Sequence, residues 1–181
     1  FNTLLAFVML FAAALVVMNP KAKTGVIDAK AEFIISVTWP DLDPNDIDTW
    51  VQDPGGNLVW FRAREAGLMH LDRDDRGVAN DTIVVNGQTV VNPLNQEVVT
   101  IRGFAPGEYT VNLHYYESKN GQPVEVNVSV VKVNPRAEVV FYSAVKVARK
   151  GDEATAARFT VDRDGRVGNV NTLAKKLVER I

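Results

Sequence analysis

Cysteine is absent from all 181 positions of this chain, and its absence removes several kinds of chemistry at once. Without cysteine there can be no disulfide framework, no thiolate metal site and no cysteine nucleophile. Histidine is scarce as well, since only His70 and His114 occur, and neither has a serine or an acid at an interpretable catalytic spacing. A glycine-rich phosphate loop and an HExxH motif are also missing. The sequence therefore predicts a protein that is not an enzyme.

An excess of positive charge is lacking too. The net charge is -2, so nothing in it draws the whole molecule towards nucleic acid. Residues 21–131 hold 9 Lys and Arg against 16 Asp and Glu, whereas residues 132–181 hold 11 against 6. Two differently charged faces of one fold would explain this difference. Alternatively, the basic C-terminal part docks on an acidic surface, its own or a neighbour's.

The first eighteen residues contain no charged side chain. A helix of that length spans about 27 Å, close to the roughly 30 Å of a bilayer core, and Asn19-Pro20 should end it. We therefore predict a transmembrane anchor at residues 1–20 and a juxtamembrane linker at 21–31. A signal peptide and a buried core helix are the alternatives. The side chains expected to contact the bilayer are Leu4, Phe7, Leu10, Phe11 and Leu15.

The orientation of this anchor is open from the residues alone. Lys21, Lys23 and Lys30 follow the apolar stretch, and the positive-inside rule would place a domain after such a flank in the cytoplasm. Small residues such as Ala6 and Ala13 would allow the helix to pack closely on another membrane helix.

From residue 32 onward, apolar and polar residues alternate in short runs. The Pro-Gly-Gly turn after Asp53 and the Asn86-Gly87 turn each lie between two β-prone runs, as in hairpins. About eight to ten such runs predict an all-β, antiparallel sandwich of immunoglobulin-like or jelly-roll-like type. Its core is predicted at 32–133, with added hairpin strands and a short C-terminal helix, from Asn171 onward, packed on it at 134–181. Residues 62–80 have no clean period and are predicted as a loop.

Closely spaced aspartates are the most site-like feature. Hard cations such as calcium bind six to eight oxygens, and acidic loops at one end of a sandwich supply them. The candidate ligands for a calcium ion are Asp46, Asp48, Asp53, Asp72, Asp74 and Asp75. The alternative is that each aspartate caps its own turn or pairs with a nearby arginine. Similarly, Asp162 and Asp164 resemble the start of an EF-hand loop but fit a hairpin turn better, because the later glutamate is missing.

Aromatic residues offer a second kind of candidate site. A surface group of tryptophan and tyrosine side chains would stack on sugar rings, although aromatic residues at strand positions are more often part of the core. The residues in question are Trp39, Trp50, Trp60, Tyr115 and Tyr116.

Three ordered motifs resemble a bacterial family of uncharacterised, often exported β-sandwich domains. They are Asp46-Ile47-Asp48 with Val51, Asp53-Pro54 and Gly56; Leu71-Asp72 with Asp74-Asp75; and Pro106-Gly107 with Tyr109 and Val111. The match covers about residues 32–133 and implies a β-sandwich outside the cytoplasm, in the periplasm of a bacterium with its anchor in the inner membrane. The N-terminal helix is also similar, more loosely, to the single helix of the small subunit in biopolymer-transport-type ion-driven motors.

These features together predict a non-enzymatic, single-pass membrane-anchored β-sandwich, a subunit of a larger membrane complex that acts through protein–protein interaction. Its partners would be the bilayer and other membrane-protein subunits, including copies of itself, and not nucleic acid. One alternative is an accessory subunit of an ion-driven motor of the stator type. Another is a calcium-dependent module that binds glycan or cell wall. A third is a hydrolase dependent on His70 or His114.

Overall fold

The computed structural model describes residues 3–9, 31–77 and 81–178 of the chain. The described residues form thirteen β-strands, numbered in chain order. They are β1 (Phe33–Trp39), β2 (Asp46–Gln52), β3 (Leu58–Val59), β4 (Glu65–Ala66), β5 (Met69–Arg73), β6 (Thr82–Val85), β7 (Gln88–Val91), β8 (Asn95–Ile101), β9 (Gly107–Glu117), β10 (Val124–Lys132), β11 (Glu138–Val147), β12 (Glu153–Val161) and β13 (Val167–Asn171).

Eleven of these strands form two antiparallel sheets. The first sheet has the order β11-β10-β1-β8-β5-β4, the second has the order β13-β12-β9-β2-β3, and β6 pairs with β7 alone. Inward side chains of both large sheets belong to one hydrophobic core. The result is a sandwich-like all-β fold, which confirms the predicted antiparallel β class.

The strict alternation of buried and less buried side chains along the strands explains their register. In β1, Phe33, Ile35 and Val37 are fully buried and the residues between them are not. Ile35 lies opposite Val130 on one side and Val99 on the other. Since side chains alternate between the faces of a strand, a slip of one residue would turn this whole apolar set towards solvent.

The C-terminal segment after β13 lies against the second sheet without forming the predicted helix at residues 172–177. Side chains of the sheet hold its backbone instead: Asn112 donates to the Lys175 carbonyl at 2.6 Å, and the Lys175 N–H donates to Thr155 Oγ1 at 2.9 Å. Leu177 is completely buried. The helix prediction is therefore wrong for residues 172–177, because contacts with the sheet replace local helical hydrogen bonds. Residues 179–181 lie outside the described residues.

The predicted loop at 62–80 also contains two strands, β4 and β5. Met69 and Leu71 of β5 are buried, and β5 pairs with β8 through Met69↔Ile101 and Leu71↔Val99. The strands are too short to show a period in the sequence, and only the pairing of β5 with β8 and β4 defines them.

At the N-terminus, residues 3–9 are helical, and both Leu4 and Phe7 are exposed. None of the helices in the described residues has the length and apolar character needed to cross a membrane. The rest of the predicted anchor, with Leu10, Phe11 and Leu15, and the linker up to residue 30 lie outside the described residues.

Gly107 begins β9 in a backbone conformation that favours glycine. Its φ is 135°, and a Cβ added there would lie 2.6 Å from Pro54 Cβ, whereas Gly56 (φ 85°) has nothing within 4 Å. We expect Gly107→Ala to lower the free energy of unfolding by about 2 kcal/mol more than Gly56→Ala does. Denaturant titrations of both variants measure the difference, and equal losses would show that the contact with Pro54 has no energetic weight.

Candidate metal centre

Three carboxylates meet at the end of the sandwich where β1 finishes and β8 begins. Asp48 lies on β2 in the second sheet, Glu97 on β8 in the first sheet, and Asp74 directly after β5. One carboxylate oxygen from each lies within 4.8 Å of the others. The group therefore joins the two sheets at this end, and residues from three separate parts of the chain contribute to it.

A small cavity of about 220 Å³ opens beside these carboxylates. Asp46, the first residue of β2, lines this cavity together with Asp48 and Asp74, whereas Glu97 does not. The lining residues are Asp46, Asp48, Phe61, Asp74, Arg76 and Tyr116. The cavity is thus lined by three acidic residues, two aromatic residues and one arginine.

Glu97 and Asp48 are buried almost completely, with exposed fractions of 1% and 3%. Glu97 Oε2 accepts a hydrogen bond from the Thr49 N–H at 2.5 Å, while Glu97 Oε1 has no hydrogen-bond partner among the described residues. Asp48 Oδ2 has none there either, and His114 Nδ1 lies 3.5 Å from it. Buried carboxylate oxygens without a partner are costly, and a bound cation would supply the missing partner.

The electrostatics of the group follow from burial and crowding. Burial, aided by the Asp48 and Asp74 carboxylates, raises the pKa of Glu97 well above its usual range. Burial also raises the pKa of Asp48, and the neighbouring His114 offsets part of that rise. For Asp46, burial and then Asp48 raise the pKa from 3.8 to about 7. A bound divalent cation would reverse this effect, because it favours the ionised carboxylates.

Stacked aromatic rings extend from the cavity along the outside of β2. Trp50 and Trp60 stack with centroids 4.6 Å apart, and Phe61 packs against Tyr116 at 5.1 Å. Arg62 places its guanidinium 5.2 Å from the Phe61 ring centre. Phe61 and Tyr116 therefore form an aromatic wall of the cavity beside the acidic group.

The five aromatic residues predicted as a sugar-binding surface do not lie together on the surface. Trp39, Trp50 and Tyr115 are at most 3% exposed, and the Trp39 indole N–H donates to the Asn45 carbonyl within the core. Tyr116 is 39% exposed, and Trp60 is half-buried.

Half of the six predicted calcium ligands fall at this site, namely Asp46, Asp48 and Asp74. Asp53 instead holds the turn before β3, where it accepts hydrogen bonds from the Asn57 N–H and Nδ2 at 2.9 Å and 2.7 Å.

The other two aspartates pair with neighbours on the first sheet. Asp72 lies 2.6 Å from His70 Nδ1, which pairs the predicted histidine with an acid on the surface. Asp75 is buried, pairs with Arg73 at 2.8 Å and accepts the Gln96 N–H at 3.2 Å. These two aspartates therefore have structural partners, an arginine for Asp75 and a histidine for Asp72.

Glu97 is the site residue that the sequence reasoning missed. It alternates with Val99 and Ile101 on β8, so its side chain belongs to the inward, apolar face of that strand. An acidic residue at an inward position was the available signal, because buried carboxylates are rare unless they are paired or bind a metal.

Comparison of the chain with protein-family models, curated proteins and solved structures finds no match. The resemblances to an exported β-sandwich family and to a motor subunit therefore stay predictions.

Proposed function

We propose that this chain is a calcium-binding module without catalytic activity, in which the ion joins the two sheets at one end of the sandwich. The observation that carries the proposal is the convergence of Asp48, Asp74 and Glu97, with unpartnered buried oxygens on Asp48 and Glu97 within the described part of the chain. Buried charges in proteins are paired or coordinate metals. A divalent cation satisfies three converging carboxylates at once.

The donor set favours calcium. Calcium binds six to eight oxygens at about 2.3–2.6 Å, so opposite ligands lie about 5 Å apart. One carboxylate oxygen from each of Asp48, Asp74 and Glu97 lies within 4.8 Å of the other two. Asp46, at the cavity, adds a further carboxylate, and water would complete the coordination shell. Softer metals prefer thiolate or imidazole ligands, and the chain has no cysteine.

Calorimetric titration tests the proposal on the full-length chain in mild detergent, after chelator has been removed. We expect one calcium site with a dissociation constant of about 10⁻⁵ to 10⁻³ M, and Asp48→Asn to weaken it at least about tenfold. The matched control is Asp53→Asn, because Asp53 is another buried aspartate of the same predicted set, 9% exposed, and it lies in a turn.

Two results would contradict the proposal. One is the absence of calcium binding by the wild-type protein at concentrations up to about 10 mM, ten times the weakest affinity of extracellular modules. The other is an equal loss of affinity in Asp48→Asn and Asp53→Asn, which would indicate a general effect on stability.

A second candidate is a membrane-anchored subunit of a larger complex, with the β-domain outside the cytoplasm, and the N-terminal helix favours it. Leu4, Phe7 and Met9 expose most of their surface, at 74%, 76% and 68%, and apolar surface of this kind calls for lipid or a partner. Affinity purification in mild detergent with mass spectrometry tests this candidate. A polytopic partner in fixed proportion supports it, a channel subunit of a motor would indicate the ion-driven alternative, and a lone monomer argues against both.

The aromatic wall of the cavity favours a third, narrower version, in which calcium and the rings of Phe61 and Tyr116 together bind a glycan. Binding of the full-length chain to cell-wall material, lost on chelation, would support it. We also propose that the sandwich is of the immunoglobulin-like or jelly-roll-like type.

A further inference from the structure

The hairpin 82–91, made of β6 and β7, extends from the sandwich as a separate two-stranded sheet. Asn86 (φ 53°) and Gly87 (φ 76°) form its turn, and the Asn92 N–H closes its base by donating to the Asp81 carbonyl at 2.7 Å. Every residue of both strands is exposed. Neither strand pairs with any other strand of the described residues, so each has an open backbone edge.

Aliphatic side chains cover both faces of this hairpin. Ile83 and Val90 are opposite each other and are 50% and 43% exposed, while Val84 and Val91 project from the other face at 72% and 54%. Residues 82–96 include no charged and no aromatic residue. Isolated two-stranded hairpins are marginally stable in water, and exposed apolar surface of this kind marks an interaction site.

The open edges lack the features that keep strands apart. Natural edge strands carry lysine, proline or a bulge, which prevent pairing with other chains. Strand β11, at the edge of the first sheet, has such features, since it contains Glu138 and Lys146 and its pairing with β10 is irregular at Val130/Val131. Strands β6 and β7 have none of them.

We propose that the hairpin 82–91 pairs edge to edge with the same hairpin of a second copy of this chain. Charge favours this occupant, because an uncharged strand meets its own copy without like-charge repulsion, and β-branched residues such as Ile83 and Val84 stabilise each other across strands. Pairing also gives hydrogen bonds to the open edges. A lipid surface fits less well, because hydrocarbon cannot bond these backbone groups and no Trp, Tyr, Lys or Arg is present in the segment to hold it at the interface.

The contact is small, and this sets the expected affinity. Four residues on each strand are far fewer than the roughly 20–30 residues a side of a standard interface. Association is therefore weak in solution and becomes strong only where copies are held close together, in a membrane or a complex. This inference does not depend on the calcium site.

Sedimentation of the full-length chain in mild detergent, between about 10 μM and 1 mM, tests the proposal over the range expected for a small contact. We expect Val84→Lys to weaken self-association at least about tenfold, because it places like charges side by side at the paired edge. The matched control is Val139→Lys, since Val139 is a valine of similar exposure (65% against 72% for Val84) on the edge strand β11. Mixing Val84→Lys with Val84→Glu should restore association, and the same mixture at position 139 should not.

Hydrogen exchange at residues 82–91 separates the alternatives. Protection that rises with protein concentration supports pairing between copies. Protection that instead rises with detergent concentration would assign the hairpin to a lipid surface and overturn the proposal. Equal association of the wild type and Val84→Lys at every concentration would also overturn it.

Discussion

Calcium is expected to raise the unfolding temperature of the wild-type protein and to leave that of Glu97→Gln unchanged. An ion that binds only the folded state stabilises it by about 2.7 kcal/mol at one hundred times its dissociation constant. For a domain of this size, that corresponds to a rise of about 5–10 °C. Glutamine keeps the size of Glu97 and can accept the Thr49 N–H, but it lacks the charge that binds the ion.

The same substitution should stabilise the metal-free protein. Without an ion, Glu97 Oε1 and Asp48 Oδ2 are buried without hydrogen-bond partners among the described residues, and their carboxylates repel each other. Removing one of these charges is expected to add about 1–3 kcal/mol to the free energy of unfolding at pH 8. A structural glutamate would behave in the opposite way, since its loss would destabilise the fold.

Differential scanning calorimetry with chelator and with saturating calcium measures both effects. Asp53→Asn is the control, because it removes a turn residue and should lower stability while keeping the calcium response. A Glu97→Gln protein that is destabilised and still responds to calcium would contradict the assignment of Glu97 as a ligand.

Acidification should stabilise the metal-free protein, in contrast to most soluble domains. The pKa of Asp46 rises from 3.8 to about 7 because burial, and then the carboxylates of Asp48 and Asp74, disfavour its ionised form. Between these two values the folded state binds more protons than the unfolded state does. Stability from this group is therefore fully present below about pH 4 and is lost as the pH rises through 7. Asp48 and Glu97, with raised pKa values, act in the same direction.

The expected size of this effect is about 2–4 kcal/mol between pH 5 and pH 8 in chelator, since one unit of pKa corresponds to about 1.4 kcal/mol. Denaturant titration across this pH range measures it. With saturating calcium the dependence should weaken or change sign, because protons compete with the ion. Stability that increases from pH 5 to pH 8 in chelator would show that the carboxylates are not strained in the folded state. Asp46→Asn should flatten the profile.

Local patterns in the sequence determined much of the fold. The alternation of Phe33, Ile35 and Val37 predicts a half-buried strand, and β1 follows it. Asn86-Gly87 predicts a hairpin, and β6 and β7 pair around that turn. Both depend on residues within a few positions of each other, which is the range over which side-chain alternation and turn conformation act. The helix predicted for the C-terminal segment did not form, because contacts with distant strands, which lie beyond this local range, decide the conformation of that segment.

Only the tertiary structure decided which acidic residues meet. From the sequence, Asp46, Asp48 and Asp74 are candidate calcium ligands, but Asp53, Asp72 and Asp75 are equally good candidates. The packing of the two sheets brings Glu97 to Thr49, 48 residues away along the chain, and so places its carboxylate beside Asp48. This depends on long-range strand register, which no short pattern encodes. The sequence by itself therefore determined the strands and turns, while the candidate site arises from the way the sheets pack, because a metal centre needs ligands that converge in space.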